Sequence, residues 1–225
     1  MVKVILFDLD DTLISEDQYV RSGYRYVARV LAEKYGIEAN QAEKELYKEY
    51  LENKKNVFNR YLDKCGILYS DMEIKELVMK YRNHFPDIEY FQDVKPLLTK
   101  LKSKGIRLGI ISDGYLYAQK KKAEAISLDE DFEKIIFTDE LGMEYWKPSV
   151  KAFELMKDYF EVEYCEMIYV GDNPQKDFYV KKSIPIITVR ICREKAIYEK
   201  AEYLENIRED LSIRNLEELA EKIEI

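Results

Sequence analysis

The chain has 225 residues, 36% of them charged and 47% hydrophobic, with a formal net charge of −8. That length fits one core domain plus a modest insertion, and the composition excludes a disordered chain. The excess of acid disfavours a nucleic-acid polymer as ligand, and no apolar run approaches the ~20 residues needed to span a bilayer. A single histidine, His84, excludes zinc sites built on several histidines and leaves base chemistry to carboxylates. Three separated cysteines, Cys65, Cys165 and Cys192, without a Cys-x-x-Cys pair, read as buried or free thiols in a reducing cytoplasm. The N-terminus passes straight into a strand pattern, so no signal peptide is expected.

In chain order, the β-branched run 2–7 is expected to be a strand buried on both faces, ending in Asp8, Asp10, Asp11 and Thr12. Helical spacing follows over 19–85. Val20, Tyr24, Val27 and Leu31 form one apolar stripe, Val57, Phe58, Tyr61, Leu62 and Cys65 another, and Leu77, Val78, Tyr81 and Phe85 a third. Asn40 with Glu43, and Ser70 with Glu73, resemble N-cap signatures, while Gly36 and Gly66 fit helix ends. His84, just before Pro86, reads as a helix C-terminal residue.

After a linker over 86–91, Asp93 is expected to start a helix that closes at Gly105. The strand 106–111 then runs into Ser112, Asp113 and Gly114, and a helix is expected over 117–126. The strand 134–137 leads to Trp146-Lys147-Pro148, with Pro148 suited to the first turn of a helix ending at Phe160. The strand 167–170 runs into Gly171, Asp172, Asn173, Pro174 and, further on, Asp177. A short helix over 177–183, a strand over 185–189 and a final helix over 215–223 complete the pattern. Strands alternating with helices predict an α/β fold: a doubly wound, parallel, Rossmann-like sheet carrying an inserted α-helical bundle. The expected division is a core over 1–15 and 90–225, with a helical insert over 16–89.

Each apolar strand thus delivers a polar group to the same edge of the sheet, where open α/β sheets place ligands. Acids, a hydroxyl, backbone donors beside glycine and one lysine suit a phosphate group and a hard cation. Asp8-Leu9-Asp10-Asp11-Thr12, then Ser112, then Lys147-Pro148, then Gly171-Asp172 with Asp177 resemble, in order, the four motifs of the haloacid dehalogenase superfamily. The likeness is to the branch with a helical cap inserted after the first strand, the C1-cap subfamily I. It covers 2 to about 190, the cap being matched only by position and helical character.

The resemblance implies a phosphatase acting on a small phosphorylated metabolite through an aspartyl-phosphate, with Mg²⁺ as cofactor. Asp8 would attack phosphorus, needing position rather than deprotonation. Asp10 would protonate the leaving alkoxide and later deprotonate water. Thr12, the Ser112 hydroxyl and the Asp113 and Gly114 amides would hold the phosphoryl group, and Lys147 would offset its growing charge. Asp8, the Asp10 carbonyl and Asp172 would hold the metal, with Asp177 supporting Lys147 or a water behind them.

The dehalogenases of this family lack an acid at the position of Asp10, so phosphate-ester chemistry is favoured over carbon–halogen cleavage. The alternatives are a phosphotransferase or phosphomutase acting on sugar phosphates and, less favoured, a catalytically silent binding or regulatory module. Specificity is expected to come from the cap, where Asp17, Arg21, Tyr24, Arg25 and Asn56 are candidates, although a solvated helix face is the preferred reading of all five. No membrane partner is expected, and the chain is expected to be a monomer or a homodimer.

Overall fold

A computed structural model describes residues 1–194 and 196–223. Its elements run β1 (Val4–Phe7), α1 (Glu16–Tyr35), α2 (Ala39–Glu52), α3 (Val57–Lys64), α4 (Asp71–Asn83), α5 (Val94–Ser103), β2 (Arg107–Ser112), α6 (Leu116–Ala125), α7 (Leu128–Asp131), β3 (Lys134–Phe137), α8 (Lys151–Phe160), β4 (Met167–Gly171), β5 (Ile187–Ile191), β6 (Leu211–Ile213) and α9 (Glu217–Lys222). The strands form one sheet in the order β3-β2-β1-β4-β5-β6, every neighbouring pair parallel. This is the doubly wound order, and the direction of winding reverses between β1 and β4.

The chain divides into two compact units, 1–16 with 89–225, and 17–88. In the first, all four residues of β1 are fully buried. Successive side chains point to opposite faces. Val4 and Leu6 join Phe153, Met156 and Phe160 of α8 in one core layer. On the other face Phe7 meets Phe132 edge-on, ring centres 6.0 Å apart. A strand covered on both sides must be apolar throughout, which is why it shows no alternation in the sequence. The excursion to the helical segment is pinned where it leaves and returns: Phe91 N donates to the Leu13 carbonyl at 2.9 Å, and Ile14 bridges to Tyr90.

The second unit is helical. Val20, Tyr24, Val27 and Leu31 pack with Ala42, Leu46, Phe58, Leu62 and Leu77 in one buried cluster. The other two stripes are narrower than expected, since Cys65 and Phe85 are exposed. Ser70 and Glu73 form a reciprocal capping box, and Gly36 and Gly66 take the left-handed conformation after their helices. The Asn40 signature is corrected. Glu38 caps α2, its carboxylate accepting from Asn40 N at 2.9 Å and Gln41 N at 2.6 Å, because its longer side chain reaches two orphan amides. His84 ends α4 as expected but is buried between the Ser22 hydroxyl and the Tyr81 carbonyl.

Further departures are local. Pro148 lies before α8, not in its first turn: the Lys147–Pro148 peptide is cis, and a turn with Ser149 N donating to the Trp146 carbonyl precedes Lys151. Asp93 precedes α5 without capping it, because its Oδ2 accepts from Arg193 Nη1 at 2.6 Å and Leu216 N at 2.8 Å. The strand expected over 185–189 is shifted to Ile187–Ile191, and the helix over 177–183 shortens to a 3₁₀ turn over Tyr179–Lys182. The edge strand β6 was not expected, since three residues with a serine in the middle carry little signal without β5 beside them. The cysteines are free, two of them exposed rather than buried. No helix among the described residues is long and apolar enough to cross a membrane.

Candidate active site

β1 ends at the switch point of the sheet, and its register fixes what gathers there. Phe7 aligns with Ile110 of β2 and Val170 of β4. One step further, Asp8 N donates to the Val170 carbonyl at 2.8 Å, so Asp8 stands level with the ends of both neighbours. The backbone then turns sharply, with Asp11 in the left-handed region at φ 52°. The Asp11 carboxylate accepts from Glu16 N and Ile197 N, both at 2.9 Å, so it is spent on fixing the turn and the start of α1.

Asp8, Asp172 and Asp177 converge, one oxygen from each lying within 4.8 Å of the others. Lys147, fully buried, binds Asp8 Oδ1 and Asp177 Oδ1, both at 2.9 Å. Its Nζ also donates to the Tyr169 hydroxyl at 2.6 Å, which in turn donates to Asp177 Oδ1 at 3.1 Å. Asp177 Oδ2 accepts from Asn173 N at 2.9 Å, so both oxygens of that carboxylate are held by the protein. Only glycine fits at 171, because a Cβ there would collide with the Asp177 carboxylate.

Burial works against the charged form of Lys147, yet Asp177 and Asp8 hold its pKa well above the ordinary value. Burial pushes the Asp8 carboxyl up to about 6 against the pull of Lys147. Asp172 is pushed well above the ordinary carboxylate range, by burial and then by Asp177 and Asp8. Its Oδ2 is buried without a hydrogen-bond partner. One lysine among three carboxylates leaves negative charge uncompensated, and the orphaned oxygen marks where a cation would relieve it. An all-oxygen donor set suits a hard divalent ion.

This arrangement makes Asp172 costly to the metal-free protein. The folded state binds its proton more tightly than the unfolded chain, so the penalty grows as pH rises above the ordinary carboxylate range and vanishes below it. Asp172→Asn is therefore expected to raise metal-free stability near neutral pH by about 1–3 kcal/mol, equivalent to several degrees in Tm. The gain should shrink toward pH 4. Any thermal shift that a divalent cation such as Mg²⁺ gives the parent protein should be lost in the same variant. A variant that melts lower yet keeps its Mg²⁺ shift would remove Asp172 from the cluster's chemistry.

Asp10 lies apart from this cluster. Its Oδ1 accepts from Lys122 Nζ at 2.7 Å and its Oδ2 from Gln119 Nε2 at 2.8 Å. Burial would raise its pKa, but Lys122 outweighs that and holds it below the usual value. Lys122 also binds Glu16 Oε2 at 2.8 Å. The Glu16 carboxyl is lifted to about 8, chiefly by burial. Ser112, at the end of β2, is fully buried and joined to Asp10 through Gln119, whose Nε2 lies 3.0 Å from Ser112 Oγ. Thr12 Oγ1 is buried without a partner.

The Asp113 side chain points elsewhere, accepting from Thr138 Oγ1 and Lys176 Nζ at 2.8 Å and from Lys147 N at 3.1 Å. Gly114 follows at φ 131°, a conformation other residues resist. Of the five cap candidates, Tyr24 is buried in the helical core, Asp17 pairs with Arg21, and Arg25 pairs with Glu43 and Asp87. Asn56 is an exposed residue with a left-handed backbone before α3.

Tyr169, Lys176, Gln119 and Lys122 were missed in the sequence. Tyr169 passes for core in an apolar strand, whereas Gln119-Lys120-Lys121-Lys122 passes for a solvated helix face. Only the helical spacing of Gln119 and Lys122, one turn apart, would have suggested that they work together.

Comparisons with known proteins agree with this geometry. The family model described as haloacid dehalogenase-like hydrolase matches residues 5–190. The chain is 30% identical over 203 residues to a glyceraldehyde 3-phosphate phosphatase of Methanopyrus kandleri, covering 87% of this chain and 86% of that protein. It is 31% identical over 195 residues to the protein of the same name from Pyrococcus abyssi, covering 84% and 81%. Among solved structures, a HAD phosphatase from Thermococcus onnurineus superposes with a TM-score of 0.63 at 26% identity, over 99% of this chain and 98% of that one. A doubly wound sheet with polar groups gathered at its switch point, a family match across most of the chain and these relatives lead to one statement: the chain belongs to the haloacid dehalogenase-like hydrolases and is a hydrolase of the phosphatase type.

Proposed function

We propose that the protein hydrolyses a small phosphate monoester through an aspartyl-phosphate on Asp8, with Mg²⁺ as cofactor. The observation that carries this reading is a buried carboxylate held by a buried lysine, Asp8 with Lys147, beside a second carboxylate with an unpartnered oxygen, Asp172. In the first step an Asp8 oxygen bonds to phosphorus as the bond to the substrate oxygen breaks, and Asp10 gives that oxygen a proton. In the second step a water oxygen bonds to phosphorus, Asp10 takes its proton, and the Asp8–phosphorus bond breaks to release inorganic phosphate. The proton taken from water returns Asp10 to its starting form, and Asp8 is regenerated as a carboxylate.

Lys147 keeps Asp8 in place and offsets charge on the phosphoryl oxygens. The Ser112 and Thr12 hydroxyls and the amides of Asp113 and Gly114 supply donors to those oxygens. Mg²⁺ held by Asp8, Asp172 and the Asp10 carbonyl would neutralise phosphate charge and relieve the repulsion among the carboxylates. Asp177 is assigned to orienting Lys147 rather than to the metal, since its Oδ1 binds Lys147 and the Tyr169 hydroxyl and its Oδ2 accepts from Asn173 N. The helical segment 16–89 is proposed as the cap insert of this family, and the enzyme as a cytoplasmic monomer or homodimer.

For the substrate, the name shared by the two relatives puts glyceraldehyde 3-phosphate first among the esters to test. The deciding experiment is turnover of p-nitrophenyl phosphate and a panel of phosphorylated metabolites, before and after chelation. Activity is expected to vanish in excess EDTA and to return with Mg²⁺ more fully than with Ca²⁺, which takes more oxygen ligands at longer distances. Full activity after confirmed metal removal would overturn the metal assignment. A requirement for a sugar bisphosphate would favour a mutase.

A further inference from the structure

Two side chains of α6 grip both oxygens of one carboxylate. Gln119 and Lys122 are 2% and 3% exposed, although they belong to a polar run in the sequence. Lys122 Nζ reaches Asp10 Oδ1 and Gln119 Nε2 reaches Asp10 Oδ2. Burying a lysine on a helix costs energy that ordinary packing would not require. Lys122 is tied at its far side to Glu16, whose own backbone N is held by Asp11. Gln119 is anchored by the Asp113 carbonyl at 2.6 Å. Gln119 Nε2 has two hydrogens to share among Asp10 Oδ2, the Asp113 carbonyl and, 3.0 Å away, Ser112 Oγ.

We propose that Gln119 and Lys122 are positioning residues that fix the Asp10 carboxylate in the orientation its proton transfers need, and that Gln119 couples this to the hydroxyl of Ser112. The inference rests on the acid–base reading of Asp10. The physical ground is that proton transfer needs the carboxylate oxygen within hydrogen-bond reach of the leaving oxygen or water, and a short side chain after a strand has a free χ1 unless something holds it. Two donors on one rigid helix face, gripping separate oxygens, remove that freedom.

The test uses Lys122→Met in the full-length protein, assayed on an alkyl phosphate such as glycerol phosphate and on p-nitrophenyl phosphate. The expected result is a fall in kcat of roughly 10–100-fold on the alkyl ester, a clearly smaller fall on the activated one, and KM nearly unchanged. Combined with Asp10→Asn, the substitution should cost nothing further, since Lys122 acts through Asp10. Lys122→Met with Glu16→Gln, which also removes the second carboxylate, should restore thermal stability without restoring kcat. Gln119→Leu should show the same leaving-group bias and in addition raise KM through Ser112. Equal losses on both esters, or a multiplicative loss on top of Asp10→Asn, would overturn the proposal while leaving Asp10 as acid and base. If Asp10→Asn itself showed no leaving-group bias, the reading beneath it would fall, and the proposal with it.

Discussion

Asp8→Asn is expected to abolish turnover, a loss of roughly 10⁴-fold or more, because an amide cannot form the phosphoryl-enzyme. The variant separates chemistry from folding. Asparagine keeps the size of the side chain, and Asp8 already carries a carboxyl whose charge is disfavoured by burial. Lys147 retains Asp177 and the Tyr169 hydroxyl as partners. The melting temperature should therefore stay close to that of the parent while phosphate release from p-nitrophenyl phosphate disappears. Acid quench with a labelled substrate should trap label on the parent protein and none on the variant. Hydrolysis by the variant at the parent rate would refute covalent catalysis at Asp8.

Asp10→Asn is expected to lower activity by ~10²–10⁴-fold on alkyl phosphates, the range typical of general acid help, and by much less on p-nitrophenyl phosphate. An alkoxide must take a proton as it leaves, whereas p-nitrophenolate scarcely needs one. The loss on the activated ester should not vanish. Lys122 lowers the pKa of Asp10, which suits its charged form to taking a proton from water in the second step, whereas the first step draws on its protonated form. Slowing that step makes the intermediate last longer, so rapid quench should show phosphorylated Asp8 accumulating in the variant. Equal losses on both esters with no trapped intermediate would reduce Asp10 to a positional role.

The sequence by itself determined which strands form the centre of the sheet and where their polar ends lie. The runs at Val4, Leu108 and Ile168 are apolar because each strand is covered on both faces, and that pattern needs no long-range information, whereas Ile135 lies in the half-buried start of the edge strand β3. Asp8 and Asp172 follow directly as the first charged groups past β1 and β4 and Ser112 closes β2, whereas Lys147 lies across a loop from β3. Helix ends were legible where the signal is local, as at Gly36, Gly66 and the Ser70–Glu73 box, and α5 begins next to Asp93 as expected, whereas the cap of α2 lies at Glu38 instead of Asn40. Asp93 has the chemistry of a cap, but Arg193, a hundred residues on, takes its carboxylate.

Tertiary structure alone decided which polar residues are buried together. Lys122 reaches Asp10 across 112 positions and Gln119 across 109, so no spacing in the chain links either of them to Asp10. Tyr169 reads as one more core aromatic until the fold sets its hydroxyl between Lys147 and Asp177. β6 exists only because β5 presents an open edge. A side chain's local pattern reports whether it can be buried, whereas the partner that makes burying a charge tolerable comes from a distant part of the chain and exists only once the sheet and its helices have assembled.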